Sequence, residues 1–289
     1  FVGMEGSGFR GMFWGMDHTT LDTRILTPSG WITMGEVKKG DVILGRDGKP
    51  HKVLEAHPIQ EKEIFLVRFK DGAEIRTSAT HHWVVLPYSR RGSRKEVLRS
   101  TSDLVSKRRR ADVVPFPKPL ELGPMALPIH PYLLGALIAN GSFRSNTPRF
   151  TTADPLTMRR VLEEAEASWG KQFFPVKYRT RLGVPFQYVD FSENKGPQET
   201  PALRDLRELG LWGLTAGDKF IPERYLFGGI DQRLDLLHGL MDCDGTVSGS
   251  GYPSYSTTSR RLADDVTALV NSLGGRGSIG KGHKSSTVS

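Results

Sequence analysis

The chain of 289 residues contains a single cysteine, Cys243. One thiol excludes a disulfide framework and a cysteine-built zinc site, and it favours a reducing, cytoplasmic setting. No apolar run approaches the roughly eighteen residues of a membrane span. No signal peptide stands at the start, so no membrane partner is expected. Acidic residues are outnumbered, 32 against 40 Lys and Arg, for a formal net charge of +8. That balance fits a polyanionic partner, although many soluble proteins share it. What is present suits a soluble globular protein long enough for two domains, with 37% hydrophobic and 25% charged residues. The chain opens at Phe1 rather than Met and reads as a fragment of a longer product.

Two organisational regimes follow one another. From Leu21 to Leu86, turn signals recur at Pro28-Ser29-Gly30, Lys39-Gly40-Asp41, Arg46-Asp47-Gly48 and Lys70-Asp71-Gly72. Short alternating runs such as Glu63 to Phe69 lie between them, which predicts an all-β unit of hairpins. A basic stretch from Arg90 to Arg110 and the Pro-rich linker candidate Val114–Pro119 come next. After Pro131 the period becomes helical. Asp154-Pro155 opens a helix over Leu156–Trp169 that closes at Gly170; Ser259 opens an amphipathic helix that closes at Gly274. Strand-like runs lie at Phe174–Tyr178 and Phe186–Phe191, so 131–289 reads as an internal duplication.

The duplication carries a motif. Leu133-Leu134-Gly135-Ala136-Leu137-Ile138-Ala139-Asn140-Gly141 is echoed by Leu237-His238-Gly239-Leu240-Met241-Asp242-Cys243-Asp244-Gly245. Small residues four apart (Gly135 with Ala139, Gly239 with Cys243) let two helices pack almost backbone to backbone. The pair resembles the motif of the LAGLIDADG (DOD-type) homing endonucleases. The resemblance implies that Asp244 and Asn140 are catalytic and metal-binding, with Mg²⁺ as the cofactor. Asn140 brings no charge where the family has a carboxylate, so nicking of one strand, binding without cutting, or slow double-strand cutting remain open. Strong impairment is the preferred reading. Double-stranded DNA would lie on the strands, with Lys177, Arg179 and Arg181 of the first repeat and Arg276 and Lys284 of the second on phosphates. A solvated strand face explains the first three equally simply. Lys281 is assigned the auxiliary lysine role.

The β region has its own resemblance. Leu21 to Trp31, then Met34-Gly35-Glu36 and Gly40-Asp41, is similar to the opening block of an intein. Gly72 to Trp83 resembles the second intein block, centred on Ser78 and His81. What this implies is an acyl shift at the N-terminal splice junction, with no cofactor. His81 donates a proton to the leaving amide nitrogen, and Ser78 holds the carbonyl oxygen. Alone, His81 would read as a core histidine; beside these blocks the functional reading is preferred. No Cys or Ser stands where the first nucleophile is usual, and matching the block puts the junction near His18, after Asp17, with Thr19 and Thr20 as alternatives. One subgroup of inteins lacks that nucleophile and carries Trp at the position of Trp83; a core aromatic explains Trp83 as well. The terminal His-Asn pair that completes splicing is missing, so the chain alone is not expected to splice.

The resemblances imply a multidomain chain: an all-β Hint (horseshoe) splicing domain plus an α+β endonuclease of two pseudo-symmetric αββαββα-type repeats. The expected division is 1–17 host (extein) segment, 18–120 splicing domain, 121–130 linker and 131–289 endonuclease, with repeats at 131–200 and 220–289. The implied partners are the uninterrupted host gene and the host polypeptide, for a bacterial or phage-encoded monomer with internal pseudo-twofold symmetry. The alternatives are a cleavage-dead DNA-binding module and the N-terminal half of a split intein that pairs with a C-terminal half.

Overall fold

The computed structural model describes residues 19–69, 73–87, 95–106, 112–144, 147–170, 174–191 and 199–280. The chain divides into two compact units, one of residues 1–123 with 270–278 and one of 124–269 with 279–289. The expected turn at Lys70–Gly72, and Arg90, Arg91, Arg94 and Lys107–Arg110 of the basic stretch, lie outside the described residues.

The first unit is built of antiparallel two-stranded ladders between chain neighbours. Strand β1 (Arg24–Thr27) pairs with β2 (Gly30–Thr33), and β3 (Val42–Leu44) with β4 (Pro50–Lys52). Likewise β5 (Ile64–Arg68) pairs with β6 (Glu74–Ser78), and β7 (His82–Val85) with β8 (Val97–Ser100). A short helix α1 (Thr101–Ser106) follows β8, and Ser100 caps it by accepting from the Asp103 backbone N–H at 3.1 Å. The buried core gathers Ile75, Trp83 and Val85, with Val67, Phe69, Leu104 and Val114 packed against it. Gly48 takes a left-handed φ of +81°, and a Cβ there would stand 1.9 Å from the Pro119 carbonyl oxygen. That close approach lets the stretch after the prolines lie along the β3–β4 turn. Lys118 N–H donates to the Arg46 carbonyl at 3.0 Å and Glu121 N–H to that of Gly48 at 2.7 Å. Leu120 and Leu122 are buried. The end of the Pro-rich stretch is therefore docked rather than a loose linker: proline pre-extends the backbone, and the N–H groups of Lys118, Leu120 and Glu121 find carbonyls.

In the second unit, helix α2 (Pro131–Asn140) is followed by β9 (Gly141–Ser142), β10 (Arg149–Thr152) and α3 (Pro155–Trp169). Then come β11 (Lys177–Arg181), β12 (Val184–Asp190), α4 (Pro201–Glu208) and α5 (Glu223–Leu226). The last elements are α6 (Ile230–Asp244), β13 (Gly245–Val247), β14 (Pro253–Tyr255) and α7 (Arg260–Ser272). The order helix, strand, strand, helix thus occurs twice, at α2–α3 and at α6–α7. Strands β11, β12, β10 and β9 form one antiparallel sheet in that order, and β13 pairs with β14.

Helix α2 is buried on every side from Pro131 to Ile138, as an all-apolar helix must be. Asp154 caps α3 by accepting from Thr157 N–H at 2.9 Å, and Gly170 at φ +82° ends it. The expected strands are displaced: β11 and β12 close around Leu182 and Gly183, both at positive φ. Leucine rarely adopts that conformation, so composition gave no turn signal there.

Candidate functional site

The second unit brings the two motif helices into contact at their glycines. A Cβ on Gly135 would stand 2.3 Å from the Leu236 carbonyl oxygen and 2.9 Å from the Leu240 nitrogen. A Cβ on Gly239 would stand 2.1 Å from the Tyr132 carbonyl oxygen and 2.9 Å from the Ala136 nitrogen. The contacts are reciprocal, each glycine facing the backbone at the same offsets on the other helix. Tyr132 adds a cross-tie, its hydroxyl donating to Asp242 at 2.9 Å. That bond gives Asp242 a structural task.

Asn140 and Asp244 are the last residues of their helices, and each is followed by an extended glycine. One buried side chain holds the end of α2, within electrostatic reach of Asp244 at the end of α6. Lys219, 6% exposed, donates from Nζ to the carbonyls of Ile138 and Gly141 at 2.7 Å each, with those of Leu137 and Ala139 at 3.4 Å. Burial pushes the Lys219 ammonium down to about 8, opposed by the negative charge of Asp244. The carbonyls gathered around Nζ also favour the charged form. Burial likewise raises the Asp244 carboxyl above the usual range, and Lys219 offsets this. It pushes the neighbouring Cys243 thiol up to about 12, which disfavours the reactive thiolate. Tyr255, opposite Gly245 in the β13–β14 ladder, buries a hydroxyl that has no hydrogen-bond partner among the described residues.

Sequence reasoning missed Lys219. Its one signal is a lysine running directly into the apolar Phe220-Ile221-Pro222. Lys281, to which the auxiliary role was assigned, lies outside the described residues, as does Lys284. Lys177, Arg179 and Arg181 lie on the fully exposed strand β11. They are not three equivalent free cations. Lys177 is paired with Asp190 at 3.0 Å, and Lys177 and Arg179 lie 5.6 and 5.1 Å from the Tyr188 ring centre. Arg276 stands on no strand; it belongs to the first unit, with its guanidinium 5.7 Å from the ring centre of Phe116. Gly274, Gly275, Gly277 and Gly280 crowd this stretch and disfavour a strand. Among the described residues no group of three or more His, Cys, Asp or Glu side chains is arranged to hold a metal ion.

In the first unit, Ser78 and His81 are both buried, and His81 N–H donates to the Ser78 carbonyl at 3.3 Å. Ser78 Oγ lies 3.1 Å from Thr80 Oγ1. The His81 ring meets Trp83 edge-on, with centres 4.9 Å apart. Trp83 is fully buried, and its indole N–H donates to Thr101 Oγ1 at 2.9 Å. The core reading of Trp83 therefore accounts for its position. Asp17 and His18 lie outside the described residues, but Thr19, next along, forms an isolated antiparallel bridge with Thr77. The chain leaving the expected junction thus runs beside the Ser78–His81 turn.

Comparison with known proteins agrees with both regions. Residues 231–288 match the LAGLIDADG-like domain family. The chain is 32% identical over 282 residues to the replicative DNA helicase DnaB of Mycobacterium intracellulare, covering 89% of this chain and 42% of that protein. A DnaB of Mycobacterium leprae (strain TN) is 38% identical over 64 residues, 22% of this chain and 11% of that protein. The chain thus spans less than half the length of these relatives. Among solved structures, the MchDnaB-1 intein is 34% identical over 33% of this chain and 65% of its own, with a TM-score of 0.27. The Msm DnaB1 intein splicing domain, crystallised with zinc, is 34% identical over 33% of this chain and 79% of its own, with a TM-score of 0.25. These likenesses reside in the sequence. With splicing blocks in one unit and the paired glycine helices in the other, the chain belongs to the inteins that carry a LAGLIDADG endonuclease region.

Proposed function

We propose that the second unit is a divalent-cation-dependent DNA endonuclease weakened by Asn140, and that the first is the N-terminal part of a splicing domain acting on the peptide bond at His18. The observation that carries the nuclease reading is the reciprocal close packing of α2 and α6 at Gly135 and Gly239, with Asn140 and Asp244 at equal offsets beyond those glycines as the last residues of their helices. Asp244 offers a half-buried carboxylate whose burial favours added positive charge, and Asn140 offers one neutral oxygen. That donor set suits a single Mg²⁺ that keeps water or phosphate oxygens for its remaining positions. When bound, such an ion supplies charge for activating water and stabilising the leaving oxygen. The protein's own part is to hold the ion at Asp244 and to set the positive charge of Lys219, bound to the carbonyls at the end of α2, near the phosphate. DNA lies across β11 and β12, where Arg179 and Arg181 are exposed. The two helix–strand–strand–helix runs are halves of a pseudo-twofold pair, which is why one chain suffices for a two-stranded substrate.

In the first unit His81 protonates the leaving amide nitrogen and Ser78 holds the carbonyl oxygen, with Thr19 already aligned on Thr77. Residues 1–17 are then host sequence, and the likeness to replicative helicases supports a bacterial replicative helicase as that host. One observation favours a cleavage-dead DNA binder instead: Lys219 also serves as a cap for the carbonyls at the end of α2, which needs no catalysis.

Incubation of supercoiled plasmid carrying the uninterrupted helicase gene with the protein and Mg²⁺ separates these readings. Nicked circles that become linear on Asn140→Asp are expected. Retarded plasmid that is never cut, in wild type and in Asn140→Asp alike, supports the binder and sinks the nuclease.

A further inference from the structure

We propose that the start of α7 is a clamp for Lys219, with Ser259 and Asp265 as positioning residues for its ammonium; this rests on the reading of the Asp244 tip as a DNA-cleaving site. No helix or strand spans 209–222. A lysine in such a segment ordinarily keeps most of its rotamer entropy and a movable backbone. Here three consecutive residues are held by α7 or its cap. Ser259, 1% exposed, donates from Oγ to the Lys219 carbonyl at 2.6 Å while accepting from the Leu262 N–H at 3.1 Å. The Arg261 guanidinium lies 3.7 Å from the ring centre of Phe220. Asp265 Oδ2 accepts from the Ile221 N–H at 2.9 Å.

Helix capping alone explains only half of Ser259. An N-cap accepts from the helix; it need not donate to a carbonyl elsewhere in the chain. Asp265, within the helix rather than at its first turn, does not cap, and a half-buried carboxylate is costly unless it has a task. Its task is the Ile221 N–H. Together the contacts fix the backbone on both sides of Lys219, so that Nζ projects into the carbonyls at the end of α2. The site at the helix tips is thereby made dependent on an element that does not reach it.

The test is nitrogen-15 NMR of the lysine ammonium groups in the full chain, with the Lys219 signal assigned by its loss in Lys219→Arg. Ser259→Ala and Asp265→Ala are expected to speed solvent exchange of the Lys219 ammonium protons about two- to tenfold, the range one hydrogen bond commands. Ser259→Thr and Asp265→Asn, which keep the donor and the acceptor, are expected to restore slow exchange. Should a truncation fail to fold, Arg261→Gln at an exposed position is expected to give a smaller acceleration. Unchanged exchange in the folded truncation variants, or in Arg261→Gln where they do not fold, overturns the clamp. Because the readout needs no DNA cleavage, accelerated exchange together with undiminished cutting by Lys219→Met retains the clamp and rejects the lysine's catalytic role.

Discussion

The Tyr132 carbonyl oxygen occupies the space a side chain on Gly239 would need, 2.1 Å from the site of its Cβ. The obstacle is backbone inside a helix, so it cannot rotate away. Gly239→Ala therefore forces α2 and α6 apart. The gain in helix propensity, about 1 kcal/mol for Gly to Ala, is outweighed by overpacking at or beyond the upper end of about 1–3 kcal/mol. Chemical denaturation should show a net loss of stability for Gly239→Ala and for Gly135→Ala; either variant matching wild type refutes the close contact.

Thr101 holds the first unit together through one hydroxyl. It accepts from the Trp83 indole at 2.9 Å, lies 3.0 Å from Thr77 Oγ1, and is fully buried. Thr101→Val keeps the shape and removes the acceptor. A loss of about 1–3 kcal/mol is expected, the cost of stranding buried donors, with Thr101→Ser near wild type. Equal midpoints for the Val and Ser variants contradict the network.

The paired motif was legible because its physics is local. An apolar run, a glycine at a fixed place and a polar residue before a second glycine specify a buried helix, its contact point and its tip. Asp154-Pro155 and Gly170 bounded α3 for the same reason. Lys219 was not legible, because its burial arises only when a segment far along the chain folds against the end of α2. The docking of 118–121 was hidden likewise, since prolines signal an extended backbone but not what it lies on. Arg276 misled because basic residues at the end of a duplication invite a strand that the glycines there disfavour.

On the proposed reading, in which Asn140 and Asp244 share one cation site, Asn140→Asp sets a second carboxylate beside Asp244. Without a divalent cation, like charges repel and desolvation adds to the cost. Thermal unfolding in chelator should show the variant less stable than wild type, by a margin that narrows as pH falls and the carboxylates protonate. Added Mg²⁺ should raise its midpoint more than that of wild type, since binding to the native state alone stabilises it. Equal Mg²⁺ responses would remove Asn140 from the proposed cation site.

Tyr255 buries a hydroxyl without a partner among the described residues. Deleting it should cost nothing. Tyr255→Phe is expected to leave stability unchanged or raise it by up to about 1 kcal/mol, because an unsatisfied polar group is a burden in the folded state. A marked loss on denaturation would mean that the hydroxyl has a bond in solution.

The charge on Asp265 sets the last expectation. Burial raises its carboxyl to about 6 in the folded chain, from an ordinary value of 3.8, even though the Ile221 N–H favours the anion. A folded pKa above the unfolded one means that the native state binds more protons between those values. Stability contributed by this group is therefore greatest below about 4 and falls as pH rises toward about 6. Asp265→Asn keeps an oxygen for Ile221 N–H and removes the charge, so that slope disappears. At neutral pH the variant should be more stable by about 1–2 kcal/mol, discounted from the full linkage value because the side chain is partly exposed. Near pH 4 the two proteins should converge. A variant that is less stable at pH 7, or a gap that widens toward acid, would show that Asp265 is stabilised as an anion, with Arg261 rather than burial governing it.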